Sequence, residues 1–309
     1  MSGNAILEVN NISRVYKRGG VFSRNFLTAV DQVSFTIDDR PQVFSIVGES
    51  GSGKTTLARM ILRLVEPSAG DIRLLGRPLT GKRNERIDNL EFRRLVQPIF
   101  QNPFEAFSAY LPLETYLKRT ALNLRVARND KEAAEAADQA LRSVGLGLDR
   151  IAGKFIRQFS GGELQRISVA RALIPNPKLI VADEPVSMVD ASMRMNIVNL
   201  FRQIVEEKGV SFIYITHDLS TAYYLSDQVS IMNRGTVIEH GIPSEILDSP
   251  SQDYTRELMA AIPAIGARWP EIEDIERRTT AVQPRQDNGA STHLEERHFD
   301  QTSQGGDYD

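Results

Sequence analysis

The stretch Val43-Phe-Ser-Ile-Val47-Gly48-Glu-Ser50-Gly51-Ser52-Gly53-Lys54-Thr55-Thr56 decides the fold. Its first five residues are a dense apolar run bounded by glycine, as expected of a buried strand. Beyond it, Leu57, Met60, Ile61 and Leu64 recur at i, i+3, i+4, i+7, which predicts a helix over 55–64 with one apolar face. Strand, glycine-rich turn and helix make the first half of a βαβ unit. The turn from Gly48 to Thr55 matches G-x-x-x-x-G-K-[ST] and lies where that motif works, after a strand and at a helix N-terminus. Gly48, Gly51 and Gly53 let the backbone curl through Ser50 and Ser52, so that successive N–H groups point inward at phosphate oxygens. The helix terminus adds unpaired N–H groups and a positive dipole end. Lys54 supplies a mobile charge for β and γ phosphates, the Thr55 hydroxyl is a candidate Mg2+ ligand, and Thr56 joins the binding set. The ligand class is a nucleoside triphosphate.

Working outward, Leu179-Ile-Val-Ala-Asp183-Glu184 is an apolar strand ending in two carboxylates. The strand delivers Asp183 to the sheet edge, at Mg2+. Glu184 falls one residue beyond, where it can polarise an attacking water as general base. Other strand signals lie at 6–9, 33–37 and 210–215, with a hairpin of 228–232 and 236–239 around Asn233-Arg234-Gly235. Helical pattern fills 103–162, with a capped segment opening at Asp130, and recurs over 192–207. Alternating strands and helices point to an α/β chain with a parallel or mixed sheet.

Composition bounds the function. A chain of 309 residues leaves room for about two domains of ~150 residues. With 41% hydrophobic and 25% charged residues it has the makeup of a folded protein. Lys+Arg is 37 and Asp+Glu 40, so the net charge is −3 and nucleic acid is not an expected partner. The absence of cysteine excludes disulfides, thiolate nucleophiles and Fe–S ligation by this chain. No apolar run approaches the ~18–20 residues of a membrane span, and the first residues carry no signal-peptide pattern. If the chain works at a membrane, something else must hold it there. Residues 280–309 are polar and read as a solvated, flexible tail.

The most diagnostic stretch is Phe159-Ser160-Gly161-Gly162-Glu163-Leu-Gln-Arg-Ile-Ser-Val-Ala-Arg-Ala-Leu173. Ser-Gly-Gly opens a helix and offers a second potential anion site. This segment resembles the signature of the ABC-transporter ATPases, with Glu163 where the family usually has Gln, a change expected to alter the charge near phosphate. The rest of the family set follows in order. Gln101 resembles the Q-loop glutamine, Ser187-Met-Val-Asp190 the D-loop and His217 the switch histidine, while Tyr16 stands where the family keeps an aromatic residue that stacks on adenine. The resemblance spans roughly residues 6–242. It implies a P-loop NTPase cassette with a RecA-like core, an N-terminal antiparallel β subdomain and a helical subdomain at about 103–165, the whole within 1–250. It implies ATP and Mg2+ as ligands, with Thr55, Gln101 and Asp183 at the metal, and Glu184, His217, Lys54 and Gln101 in catalysis. It also implies a head-to-tail dimer with a second ATPase, identical or related, in which Ser160, Gly161, Gly162 and Glu163 serve the partner's ATP.

The segment Ser249-Pro-Ser-Gln-Asp-Tyr254-Thr-Arg-Glu-Leu-Met-Ala-Ala-Ile-Pro263 is similar to the one that ends the ATPases of oligopeptide and dipeptide importers, with Gln252-Asp253 in place of the usual His-Pro. The insertion-like Lys17–Thr28 loop and Phe100-Gln-Asn-Pro-Phe104 resemble that subfamily too. Many members carry a C-terminal cysteine cluster that this chain lacks. The resemblance implies an extension over 251–279, two membrane permeases docking near 102–125, an extracytoplasmic solute-binding protein acting indirectly, and a peripheral position on the cytoplasmic face of the membrane. The solute follows from the other subunits. A soluble ABC ATPase of translation or DNA repair is the alternative; those carry tandem cassettes or long coiled coils, and this chain shows one cassette and no sustained heptads.

Overall fold

All five residues from Val43 to Val47 are buried, because the strand they form has neighbours on both edges and packed layers on both faces. The computed structural model describes residues 5–18, 25–82, 84–104 and 106–260. In chain order the strands are β1 (Ala5–Arg18), β2 (Asn25–Asp38), β3 (Val43–Val47), β4 (Ala69–Leu74), β5 (Arg77–Pro78), β6 (Val96–Ile99), β7 (Leu179–Asp183), β8 (Ser211–Thr216), β9 (Gln228–Asn233) and β10 (Thr236–Gly241). One sheet, ordered β2-β1-β4-β5, is antiparallel. The other, ordered β10-β9-β3-β8-β7-β6, is parallel except for β10, which returns along β9 through a tight turn. Arg234 and Gly235 hold that turn with φ of 46° and 91°, as a two-residue hairpin loop requires.

β1 and β2 are far longer than the alternating runs at 6–9 and 33–37 suggest. Their pairing carries several register shifts, and each extra residue moves side chains to the opposite face. The period-2 signal therefore breaks although the strands continue.

The helices are α1 (Lys54–Ile61), α2 (Asn89–Leu95), α3 (Leu113–Asn123), α4 (Asp130–Arg142), α5 (Leu148–Ile151), α6 (Gly161–Leu173), α7 (Ala191–Lys208), α8 (Leu219–Leu225), α9 (Pro243–Asp248) and α10 (Asp253–Ala260). α1 ends earlier than its apolar spacing predicts. The Arg63 and Leu64 amides turn back onto the Met60 and Arg59 carbonyls, with Arg63 at φ 57°. This is a Schellman stop with arginine where glycine is usual, and it leaves Leu64 60% exposed.

The strands of the mixed sheet sort their side chains by period 2. Ile180, Ala182, Phe212 and Tyr214 face a core shared with Leu164, Ile167 and Phe201 of α6 and α7. Leu179, Val181, Ile213 and Ile215 face the opposite core, shared with Leu57 and Met60 of α1 and with the antiparallel sheet. Burying each such side chain contributes about 1.5–3 kcal/mol. The same alternation puts Asp183 on the α1 side of the sheet. A smaller cluster joins Val47, Leu219, Val229, Ile231 and Ile246 to Tyr254, Leu258 and Met259 of α10. Among the described residues no helix is long and apolar enough to cross a membrane. The expected tail at 280–309 lies outside the described residues, and the expected extension is described only as far as Ala260.

Candidate active site

The turn after β3 is built by close approach. A Cβ on Gly48 would lie 2.1 Å from the Met232 carbonyl oxygen, and one on Gly53 would lie 2.2 Å from that of Ala29. Gly53 also takes φ 106° as it opens α1. No side chain fits at either position. Ser50, Gly51 and Thr55 are exposed at the mouth of the turn, Thr56 is half-buried and Ser52 is buried. The Ser52 amide closes back on the Glu49 carbonyl at 3.2 Å, and its own carbonyl accepts the Gly235 amide at 2.9 Å. Gly235 in turn accepts the Asp31 amide at 2.8 Å, so β2, the β9–β10 hairpin and the loop are joined.

Lys54 is buried against its own loop. Its ammonium donates to the carbonyls of Gly48 and Glu49, both at 2.7 Å, and to Ser52 Oγ at 3.3 Å. Burial pulls its pKa below the usual lysine value, and the carboxylates of Glu184, Asp183 and Glu49 oppose that pull. The Thr55 hydroxyl donates to Asp183 Oδ1 at 3.3 Å. Asp183 has its pKa raised, chiefly by burial; the Thr55 bond acts the other way. A hydroxyl and a half-buried carboxylate side by side at this glycine-rich turn are hard oxygen donors of the kind Mg2+ takes.

Three further residues leave the carboxyl ends of neighbouring strands. Gln101 follows β6, Glu184 follows β7 and His217 follows β8. Gln101 Nε2 donates to Glu184 Oε2 at 3.1 Å, and His217 Nδ1 lies 3.4 Å from Glu184 Oε1. Glu184 sits at φ 46°, in the left-handed region that costs a β-carbon about 1–2 kcal/mol. The strain is held by the Glu184 amide on the Ile215 carbonyl at 2.8 Å and by Ser187 Oγ on the Glu184 carbonyl at 2.9 Å. Since β3, β8, β7 and β6 are consecutive, Lys54, His217, Glu184 and Gln101 line one crevice beyond the sheet, where open α/β sheets bind ligands.

Tyr16 lies on β1 opposite Leu27, half-buried, with the Arg14 guanidinium 4.6 Å from its ring centroid. The guanidinium covers one face of the ring in a cation–π contact.

Ser160 caps α6 and forms a reciprocal box with Glu163. The Ser160 amide and hydroxyl donate to Glu163 Oε2 at 3.0 and 3.1 Å, and Arg150 Nη2 donates to Glu163 Oε1 at 3.1 Å. The Ser160 amide first, then Arg150, hold the Glu163 carboxyl below the usual glutamate range. The expected change of charge at this segment is thus offset within the chain. Gly161 and Gly162 pack on the Met188 carbonyl and the Met193 side chain. Asp190 is exposed, and its carbonyl accepts the amides of Met193 and Arg194. Among the described residues, the side-chain hydrogen bonds of Ser160 and Glu163 run to each other and to Arg150; none reaches the glycine-rich loop.

Comparison with known proteins decides the family. The family model described as ABC transporter matches residues 30–187. The chain belongs to the ABC transporter family. This ABC ATPase is 35% identical over 258 residues to the oligopeptide transport ATP-binding protein OppF of Streptococcus mutans, covering 84% of this chain and 82% of that one. It is 35% identical over 266 residues to AppF of Bacillus subtilis, covering 85% and 80%. Among solved structures it is similar to the dimeric ATP-binding cassette MJ0796 bound to ADP and Pi, at 26% identity and TM-score 0.65 over 77% of this chain and 98% of that chain. The α/β fold is that of the ABC cassette, and the activity is ATP hydrolysis coupled to transport.

Two residues of this neighbourhood make contacts that the sequence does not announce. Arg150 lies 13 residues before its partner, in a short helix of its own. Tyr254 belongs to the C-terminal segment already singled out, but nothing there points to the phosphate loop, and its hydroxyl accepts the Glu49 amide at 3.0 Å across 205 residues.

Proposed function

We propose that this chain is the ATP-hydrolysing subunit of an importer of oligopeptides or a related solute, lying peripherally on the cytoplasmic face of the membrane against two separate permeases. The observation that carries the catalytic part is the Glu184 carboxylate held between Gln101 and His217 beside Lys54, Thr55 and Asp183. The names of the OppF and AppF relatives support the solute class.

In this reading the loop amides from Gly48 to Thr56 and Lys54 bind the ATP phosphates, and Tyr16 stacks on adenine with the ring face that Arg14 leaves open. Mg2+, when bound, neutralises phosphate charge; Thr55, the Gln101 amide oxygen and Asp183 would hold it. Glu184 takes the proton of the attacking water as its oxygen bonds to the γ-phosphorus and the bond to the β-phosphate oxygen breaks. Lys54 offsets the charge that develops, and His217 orients Glu184 and the γ-phosphate.

Ser160 to Glu163 do not reach the chain's own phosphate loop, which supports their serving the ATP of a second ATPase in a head-to-tail dimer, with Asp190 at the seam. A groove of about 760 Å3 lined in part by Leu64, Phe92, Phe100, Thr120 and Leu124 is the proposed seat of the permeases. The proposed division is a cassette over 1–250, with helices of about 103–165 as the permease-facing lobe, an extension over 251–279 and a tail over 280–309.

The test is purification of the chain from cells expressing it with its permeases. Recovery with two multi-span membrane proteins and peptide-stimulated ATP hydrolysis is expected; recovery on ribosomes or DNA ends would transfer the chain to the soluble branch of the family.

A further inference from the structure

The phosphate loop is touched by a helix from the far end of the described chain. The Glu49 amide donates to Tyr254 Oη at 3.0 Å, and the Glu49 carbonyl accepts the Lys54 ammonium at 2.7 Å. One loop residue therefore stands between the tyrosine and the lysine. Tyr254 is carried by α10, which is fastened independently. Glu239 on β10 accepts the Ser251 amide at 2.6 Å and the Ser251 hydroxyl at 2.7 Å on one oxygen, and the Thr255 hydroxyl on the other. Thr255 is fully buried. Tyr254, Leu258 and Met259 also pack on a cluster containing Val47, the last residue of the strand that feeds the loop.

We propose that Tyr254 is a positioning residue for the nucleotide site: it holds Glu49, and through Glu49 the carbonyls that present Lys54, so that docking of α10 and binding of ATP are coupled. The proposal rests on reading this site as the ATP site. Without the hydroxyl the Glu49 amide loses its protein acceptor, and the loop gains freedom that a bound phosphate must remove again. Coupling of this kind is reciprocal, so ATP must in turn fasten α10.

The experiment uses the full chain and equilibrium binding of a ribose-labelled fluorescent ATP, which needs no turnover. In Y254F the affinity should fall about three- to tenfold, the loss of one net hydrogen bond, while the melting temperature stays near wild type. E239Q, which leaves Tyr254 intact but weakens the fastening of α10, should shift affinity in the same direction. ATP should slow amide exchange over 253–260 in the wild type and do so less in Y254F. Wild-type affinity in both variants, or exchange in α10 that ignores ATP, overturns the coupling. Equal and weak binding by the wild type and K54A overturns the ATP-site reading, and the coupling falls with it. ATPase kinetics of the assembled transporter supply the second readout: a higher KM with kcat unchanged marks positioning of the bound phosphates, and a fall in kcat at unchanged KM contradicts it.

Discussion

Gln101 Nε2 donates to Glu184 Oε2 at 3.1 Å, although 83 residues separate the two. The bond ties the end of β6 to the end of β7 and orients a carboxylate whose other oxygen faces His217 at 3.4 Å. Glu184→Gln keeps the volume and removes the proposed base. Hydrolysis by the assembled transporter should fall about 10²–10⁴-fold while ATP stays bound. Phosphate release and retained labelled nucleotide measure the two halves of that statement, and wild-type turnover would remove Glu184 from the role.

His217→Ala and Gln101→Ala each take one partner from the same carboxylate. Their effects on kcat should not add to that of E184Q, because all three act through one group. A double-mutant cycle with H217A checks this: in the E184Q background the histidine substitution should cost much less than in wild type.

Glu163 gives a pH signature. Its carboxyl is held low by the Ser160 amide first and by Arg150 next. A depressed carboxyl contributes stability above its unfolded value, about 4.3, and loses it as pH falls through the lower folded value. Glu163→Gln retains the capping geometry and gives up the charge, so it should melt slightly lower than wild type at pH 7, by no more than about 1 kcal/mol for so exposed a pair. The gap should close below about pH 4, as thermal scans across pH would record.

The two left-handed glycines of the loop separate strain from collision. Gly51, at φ 84°, has open space where a Cβ would go, whereas Gly53, at φ 106°, would drive one into the Ala29 carbonyl. Gly51→Ala should cost about 1–2 kcal/mol and Gly53→Ala distinctly more, with loss of nucleotide binding. Urea titration of both variants gives the order.

Much of this is legible in the sequence. The apolar run ending at Gly48, the helix behind it and the carboxylates after Ala182 are local signals, and each motif lies within a dozen residues. What failed to show was of two kinds. Local rules were broken where arginine did glycine's work: Arg63 stops α1, so Leu64, expected on the buried face, is exposed. Bulges hid the true length of β1 and β2 in the same way. The other omissions are long-range. Nothing near Glu163 announces Arg150, and nothing near Glu49 announces Tyr254, because such pairings are set by topology and leave no periodic trace.

The Gly235 carbonyl receives the Asp31 amide and the Gly235 amide donates to the Ser52 carbonyl, so a single residue rivets the antiparallel sheet and the hairpin to the phosphate loop. Neither sheet can shear past the other without dragging that loop along. The hairpin turn binds no ligand in this scheme, yet lengthening it by even one residue would unhook the rivet. Such an insertion would mimic a damaged nucleotide site while leaving every motif residue in place.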